Sequence, residues 1–261
     1  MTLSLTSVLL SALLAGLALV VLLQLYTLRK LRRVDRHLWN LCNELPETRA
    51  NEFRQIEALL ALYADLKPQL GLPPTRGWAG SPDFLRTLAA HVIRESPETV
   101  VECSSGASTL ILAHLLRRQG FGHAYSLEHE TEYADKTRAL LAAHGLSDWA
   151  TVIDAPLQAT RGAQGEQPWY ALAGLPASTI DLLVIDGPPT HVAPLARYPA
   201  GPHLFPRLSA RGHVFLDDAG RSEERETVRR WLAEMPQFEH VALEAEKGLA
   251  MLRPRLTAGH A

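Results

Sequence analysis

A chain of 261 residues, 47% of them hydrophobic, is long enough to bury one full α/β core and carry an additional segment. Lys and Arg number 26 against 28 Asp and Glu, so the net charge of -2 excludes the global basic field of a nucleic-acid binder. Cys42 and Cys103 stand far apart in unlike contexts, which excludes a disulfide framework and suits a reducing compartment.

Thr2 to Leu28 contains no charged side chain and is dominated by Leu, Ala and Val. A helix needs roughly 20 apolar residues to cross a bilayer, so residues 1–28 are expected to form a transmembrane anchor. A buried helix is the bland alternative, and a signal peptide would show a basic start, a shorter core and a small-residue cleavage site. The run leads directly into Arg29-Lys30-Leu31-Arg32-Arg33. Positive charge stays on the cytoplasmic side, so this single-pass topology places the rest of the chain in the cytoplasm.

Residues 29–72 read as a helical stalk and linker. Leu31, Val34, Leu38, Leu41 and Leu45 recur at spacings of three and four, and the pattern resumes out of phase at Phe53, Ile56, Leu60 and Tyr63. The interruption near Pro46 predicts two short helices with an apolar seam. That seam would pack on its own domain, lie at the membrane surface, or form a homodimer through residues 31–66. Pro68 to Pro82 is rich in Pro and Gly and reads as the linker.

Strand and helix patterns then alternate. Ser81-Pro82-Asp83 starts a helix to about Arg94, with Phe84, Leu85, Leu88 and Val92 on one side. Thr99-Val100-Val101 is a short strand ending at Glu102. The small-residue loop Cys103-Ser104-Ser105-Gly106-Ala107-Ser108 leads into an apolar helix, and a second strand, Ala124 to Leu127, ends at Glu128. A helix from about Glu130 to His144 follows, with Tyr133, Leu140 and Leu141 expected inward and Gly145 ending it. Further strands are expected at 150–153, ending at Asp154, and at 180–185, ending at Asp186. A helix around 194–208 precedes a strand at 213–216, which delivers Asp217-Asp218. A helix over 222–233 and a strand pair at 239–244 and 249–253 complete the domain, with 255–261 as a tail.

The first strand-loop-helix-strand unit places backbone N–H groups and a helix N-terminus beside the strand ends, and the acid ending its second strand suits a ribose diol. A dinucleotide fingerprint wants three glycines for close approach to a pyrophosphate. Here the comparable positions are Ser104, Gly106 and Ser108, with one glycine, which favours a nucleoside cofactor lacking phosphates.

Glu102-Cys103-Ser104-Ser105-Gly106-Ala107-Ser108, with Glu128 downstream, resembles the first motif of the class I S-adenosylmethionine-dependent methyltransferases. The resemblance spans roughly residues 73–254. It implies an α/β fold, a Rossmann-like doubly wound seven-stranded sheet with an antiparallel last strand. It also implies S-adenosyl-L-methionine as cofactor, bound by Glu102 toward the amino-acid end, by the loop residues Ser104, Gly106 and Ser108, by Glu128 at the ribose, and by Asp154 with Ala155 at the adenine edge. His129 is either an adenine-stacking ring or a surface residue.

Each expected parallel strand ends in an acid, and open α/β sheets bind ligands outside those ends. Asp186-Gly187 and Asp217-Asp218 resemble the positions that hold magnesium in metal-assisted O-methyltransferases of the catechol type, implying Mg2+ on Asp186, Asp217 and Asp218. The competing reading has Asp186 orient substrate while Asp217 and Asp218 cap the next helix. Where that type carries a lysine base, Pro188 and Pro189 stand here, leaving Asp186 and His191 as the candidate catalytic groups. The loop Arg197 to His203 either lines a substrate pocket or starts a packed helix, and Trp78 either packs in the core or closes over the cofactor. The expected function is O-methylation of a small-molecule, sugar or lipid-linked acceptor at the membrane. The rival readings are a membrane-tethered scaffold without activity and an NAD-dependent oxidoreductase.

Overall fold

The computed structural model describes residues 5–163 and 165–255; the side chains of Leu41, Asn43 and Glu44 lie outside that description, as do the first residues of the expected anchor and most of the tail. The chain divides into two compact units, residues 1–53 and residues 54–261.

One helix, α1 (Leu5–Leu66), runs across the whole N-terminal region with Pro46 inside it. The two short helices expected on either side of Pro46 are therefore continuous. A proline interior to a helix removes one backbone hydrogen bond and crowds the preceding turn, and strong helix formers on both sides carry the helix past it. In the first unit, Leu9, Leu13, Leu17 and Leu23 are exposed. This helix is long and apolar enough to cross a membrane, with a mean hydropathy of 2.6 over its most apolar window.

The second unit begins within the same helix. Leu62 and Leu66 are buried among Phe84, Leu85 and Leu88 of α2 (Pro82–Glu95). Gln55 donates from its amide to Asp83 at 2.7 Å, tying this end of α1 to the start of α2. Residues 54–66 thus help to build the core.

The elements that follow are β1 (Thr99–Cys103), α3 (Ala107–Gln119), β2 (His123–Glu128), α4 (Thr131–Ala143) and β3 (Ala150–Asp154). A hairpin comes next, β4 (Leu157–Gly162) and β5 (Gly165–Tyr170), and then β6 (Ile180–Ile185). The chain ends with α5 (Ala200–Leu204), β7 (Leu208–Asp217), α6 (Ser222–Glu234), β8 (Phe238–Leu243) and β9 (Leu249–Pro254). Seven strands form one sheet in the order β3-β2-β1-β6-β7-β9-β8. β1 pairs in parallel with β2 and β6, whereas β9 is antiparallel to both β7 and β8. The doubly wound sheet with an antiparallel last strand is as expected. The separate β4-β5 hairpin was not anticipated, because its strands are mostly exposed and offer only Trp169 and Tyr170 as buried apolar side chains, beside buried polar Gln167. The helix expected over 194–208 shrinks to α5, and β7 starts five residues earlier than expected.

Successive side chains on a strand point to opposite faces, so each buried strand feeds two cores. Val100, Leu182, Val184 and Phe215 face α2 and α3 with Leu62 and Leu66. Val101, Leu183, Ile185, Val214 and Leu216 face Trp169, Tyr198, Phe205 and Trp231. Because Leu62 is fully buried, Leu62→Ala is expected to destabilise the globular unit by about 2–5 kcal/mol. Urea unfolding of the full chain in detergent, followed by tryptophan fluorescence, would read this as a lowered midpoint; an unchanged midpoint would place the end of α1 outside the core.

Candidate functional site

The strand order reverses direction between β1 and β6, where neighbouring crossover loops part and leave a crevice at the carboxyl ends. A cavity of about 370 Å³ opens there, lined by the loop Ser104 to Ser108, by Glu128, His129 and Glu130 after β2, and by Asp186 and Gly187 after β6. Trp78, Tyr133, Tyr170 and His191 complete its wall. A second cavity of about 140 Å³ adjoins it, lined by Thr190, Arg197, Asp218, Arg221 and Lys247. Trp78, Asp186, Pro189 and His191 belong to both walls.

The loop after β1 achieves its shape by backbone conformations that favour glycine. Gly106 has φ +145°, and a Cβ added there would meet nothing within 4 Å, so conformation rather than space requires glycine. Ser104 also sits at positive φ, +136°, a strained state for a residue with a side chain. Ser104 thus holds a backbone conformation that glycine adopts freely. The reverse holds at Gly187, where a Cβ would collide with the Tyr170 hydroxyl. The Gly187–Pro188 peptide is cis.

Glu128 and Glu102 divide into different jobs. Glu128 lines the cavity, and its Oε1 accepts from the backbone N–H groups of His129 and Glu130 at 2.9 and 3.1 Å. Its Oε2 accepts from the Ser105 hydroxyl at 3.0 Å. Burial works to raise this carboxyl, but its hydrogen bonds with His129, Glu130 and Ser105 overcome it and hold the pKa below the ordinary value. Glu102 is fully buried and lines neither cavity. Its Oε2 accepts from Thr109 at 2.5 Å and Ser126 at 2.7 Å, and burial pushes its pKa up. Glu102 braces the helix start from beneath, contrary to the expectation that it faces the cofactor.

Two further expected residues lie elsewhere. The Asp154 side chain is 59% exposed, pairs with Arg138 at 2.8 Å and is absent from the cavity wall. Ala155 is buried, donating its backbone N–H to Glu128 O at 2.7 Å. Strand β3 is an edge strand, so its carboxyl end lies two strands from the crevice. The corresponding stretch of wall is supplied by His129 and Tyr133, the latter half-exposed rather than turned into the core. Tyr170 was missed because the hairpin that carries it was missed. Trp78 is 86% exposed, so it packs in no core; it stands at the rim of both cavities.

The carboxylates of Asp186, Asp217 and Asp218 do converge, with one oxygen of each within 4.8 Å of the others. The buried cation among them is Arg197, while half-exposed Arg221 also pairs with Asp218 Oδ2 at 2.8 Å. Arg197 Nη2 donates to Asp186 Oδ1 at 3.2 Å and to Asp218 Oδ2 at 2.8 Å. A magnesium ion wants oxygens at about 2.0–2.1 Å in near-octahedral array, and a guanidinium already seated on Asp186 Oδ1 and Asp218 Oδ2 would repel it across a short cation–cation distance. With Arg197 in place, the donor set does not fit the ion implied for it. Asp217 is fully buried and neither carboxylate oxygen has a hydrogen-bond partner among the described residues. Burial, reinforced by Asp186 and Asp218, raises its pKa to about 8. Burial likewise raises Asp186 to about 6, with Arg197 opposing and Asp218 adding to the rise.

An acid whose folded pKa lies above its unfolded one is penalised progressively as pH rises between the two values. For Asp217 that window runs from 3.8 to about 8. Asp217→Asn is therefore expected to gain stability relative to the unsubstituted chain as pH climbs through the window, and to hold that gain above it. Chemical unfolding at a series of pH values would check this; a constant difference between the two proteins would contradict it.

A family model described as a methyltransferase domain matches residues 101–219. Among solved structures, an SAH-bound methyltransferase of Podospora anserina is similar at a TM-score of 0.59 and 16% identity, covering 82% of this chain and 97% of that one. An O-methyltransferase of Bacillus cereus in complex with SAH is similar at a TM-score of 0.51 and 17% identity, covering 77% and 91%. At these identities the likeness speaks for the fold. No curated protein sequence matches the chain.

Proposed function

We propose that the globular part of this chain is a class I S-adenosylmethionine-dependent methyltransferase domain that methylates an oxygen of a small-molecule acceptor, at a membrane. The observation that carries this reading is the pair of adjoining cavities, one walled by Glu128 and the glycine-dependent loop, the other meeting it at Asp186 and His191. A nucleoside fits the first and an acceptor the second.

In this reading Glu128 takes the ribose hydroxyls, since its folded-state hydrogen bonds keep it ionised and oriented. His129 and Tyr133 flank the adenine, and Ser104, Gly106 and Ser108 border the amino-acid end. Bound there, S-adenosylmethionine supplies an electrophilic methyl group on sulfur. Asp186 lies where the cavities meet and accepts the acceptor's hydroxyl proton at a carboxylate oxygen, with His191 as the alternative base. A carboxyl raised to about 6 is ionised at neutral pH yet basic enough for the task. The deprotonated oxygen takes the methyl, and the C–S bonding pair stays on sulfur, giving a methyl ether and S-adenosylhomocysteine.

Glu128→Ala should weaken S-adenosylmethionine binding by about 10- to 100-fold, the loss expected for hydrogen bonds to a charged group. Isothermal calorimetry on the full chain in detergent would measure it. Undiminished affinity would remove the cofactor from this cavity.

The domain organisation proposed is an anchor over 1–28, a stalk from 29 that ends where the helix enters the globular unit at 54, and the methyltransferase domain over 73–254 with residues 54–66 packed into its core. The exposed apolar run of α1 and the basic residues that follow it support a single-pass, cytoplasm-facing arrangement. Tethering concentrates an enzyme near membrane-borne substrate, which favours a lipid-linked acceptor. Exposed Leu31, Val34, Leu38, Phe53 and Ile56 support a homodimer along residues 31–66 as a subordinate reading. The full chain should resist carbonate extraction from membranes, and deletion of residues 5–28 should release it; extraction of the full chain by carbonate would contradict the anchor.

A further inference from the structure

Arg197 lies in the loop between β6 and α5, a stretch of the sequence rich in proline and surface-type residues, yet its side chain is only 4% exposed. Both terminal nitrogens of its guanidinium meet acceptors, while the buried Nε has none among the described residues. Nη1 donates to the backbone carbonyl of Asp217 at 2.8 Å. Nη2 donates to the backbone carbonyl of Asp186 at 2.9 Å as well as to the Asp186 and Asp218 carboxylates. Glu224 Oε1, also buried, stands 3.8 Å from Nη1. Burial works against the charge, but Asp186, Asp218 and Glu224 outweigh it and hold the guanidinium protonated.

The neighbouring residue fixes the position. Trp231 Nε1 donates to Tyr198 O at 2.9 Å, and the Tyr198 hydroxyl donates to Glu234 at 2.7 Å. Tyr198 is therefore tied to α6, and Arg197 beside it borders the smaller cavity next to Asp186 and His191.

We propose that Arg197 stands where related carboxylate sites would place a divalent cation, so that the acceptor oxygen meets a fixed guanidinium–carboxylate array and methyl transfer needs no metal. This rests on the methyltransferase reading for the identity of the acceptor, but not for the cation's place. Arg197 is a positioning residue. It orients Asp186 through both its carbonyl and its carboxylate, and its fixed charge favours the negative charge that grows on the acceptor oxygen as the proton leaves. A metal ion chelates two substrate oxygens at once. The Nη2 hydrogens are already shared among three protein oxygens, so Arg197 imposes no such demand, and the acceptor class is one presenting a single reactive hydroxyl rather than a vicinal pair.

The test uses the full chain in detergent micelles, titrated with Mn2+ and followed by the electron paramagnetic resonance signal of the free ion. The unsubstituted chain should leave the signal undiminished, whereas Arg197→Ala, with folding checked by circular dichroism, should bind one Mn2+ per chain. Asp217→Asn in the Arg197→Ala background should abolish that binding. Stoichiometric Mn2+ on the unsubstituted chain, lost in Asp217→Asn, would overturn the proposal; so would a folded Arg197→Ala chain that gains no ion. Should Arg197→Ala fail to fold, the titration of the unsubstituted chain decides alone. Calorimetry with S-adenosylmethionine in the presence of chelator separates the two readings, because a chain that binds neither ligand loses the proposed activity while keeping its resident guanidinium.

Discussion

The buried guanidinium of Arg197 is the interaction around which the reactive end of the sheet is organised. A parallel sheet brings the carboxyl ends of its strands to one edge, and here β6 and β7 bring Asp186, Asp217 and Asp218 together. Acids so close, and so removed from water, repel one another and favour their neutral forms. One planar cation with several donors counters this for Asp186 and Asp218 and, through the carbonyls of Asp186 and Asp217, joins the two loops that leave β6 and β7. The seam between the cavities is thereby set by an ion pair network rather than by apolar packing. Asp217, which receives no hydrogen bond to its carboxylate among the described residues, is left to adopt the protonated form.

The larger cavity rests on a different device. Glu102 is spent beneath the loop, holding Thr109 and Ser126, while the Thr109 hydroxyl accepts from the Gly106 N–H at 3.0 Å. This buried polar chain fixes the start of α3 and with it the backbone that faces the cavity. Ser104 holds a conformation that costs about 1–3 kcal/mol for a side-chain-bearing residue, and its backbone N–H is held by Leu127 O of β2 at 3.1 Å. Glu128, in contrast, stays at the surface of the cavity, where its hydrogen bonds keep it charged. Two acids at equivalent ends of neighbouring strands thus differ in role because one is covered by the loop and the other is not.

The N-terminal helix carries two kinds of residue along one length. Its first stretch exposes Leu, Val and Tyr side chains that water does not favour, as a lipid-facing segment would. Its last turns enter the globular core through Leu62 and Leu66. Expected separately from the catalytic domain, residues 54–66 belong to its compact unit, because period-3.6 apolar spacing reports that a face is covered without reporting by what.

Much of the architecture was legible in the amino-acid sequence. The strands that carry Glu102, Glu128, Asp186 and Asp217, the glycine at 106 and the uncharged run up to Leu28 all follow from local spacing, because a β-branched run or an apolar span is stabilised by its own composition wherever it lies. Which strand-end acids face the crevice was not legible. Asp154 turns to Arg138 because β3 is an edge, Glu102 is covered by its own loop, and Arg197 reaches inward across residues separated by 20 or more positions in the chain. Tyr170 and Trp78 reach the wall from a hairpin and a loop whose composition reads as surface. Side-chain direction at a loop is decided by long-range strand pairing and charge pairing, and those contacts exist only once the sheet has closed.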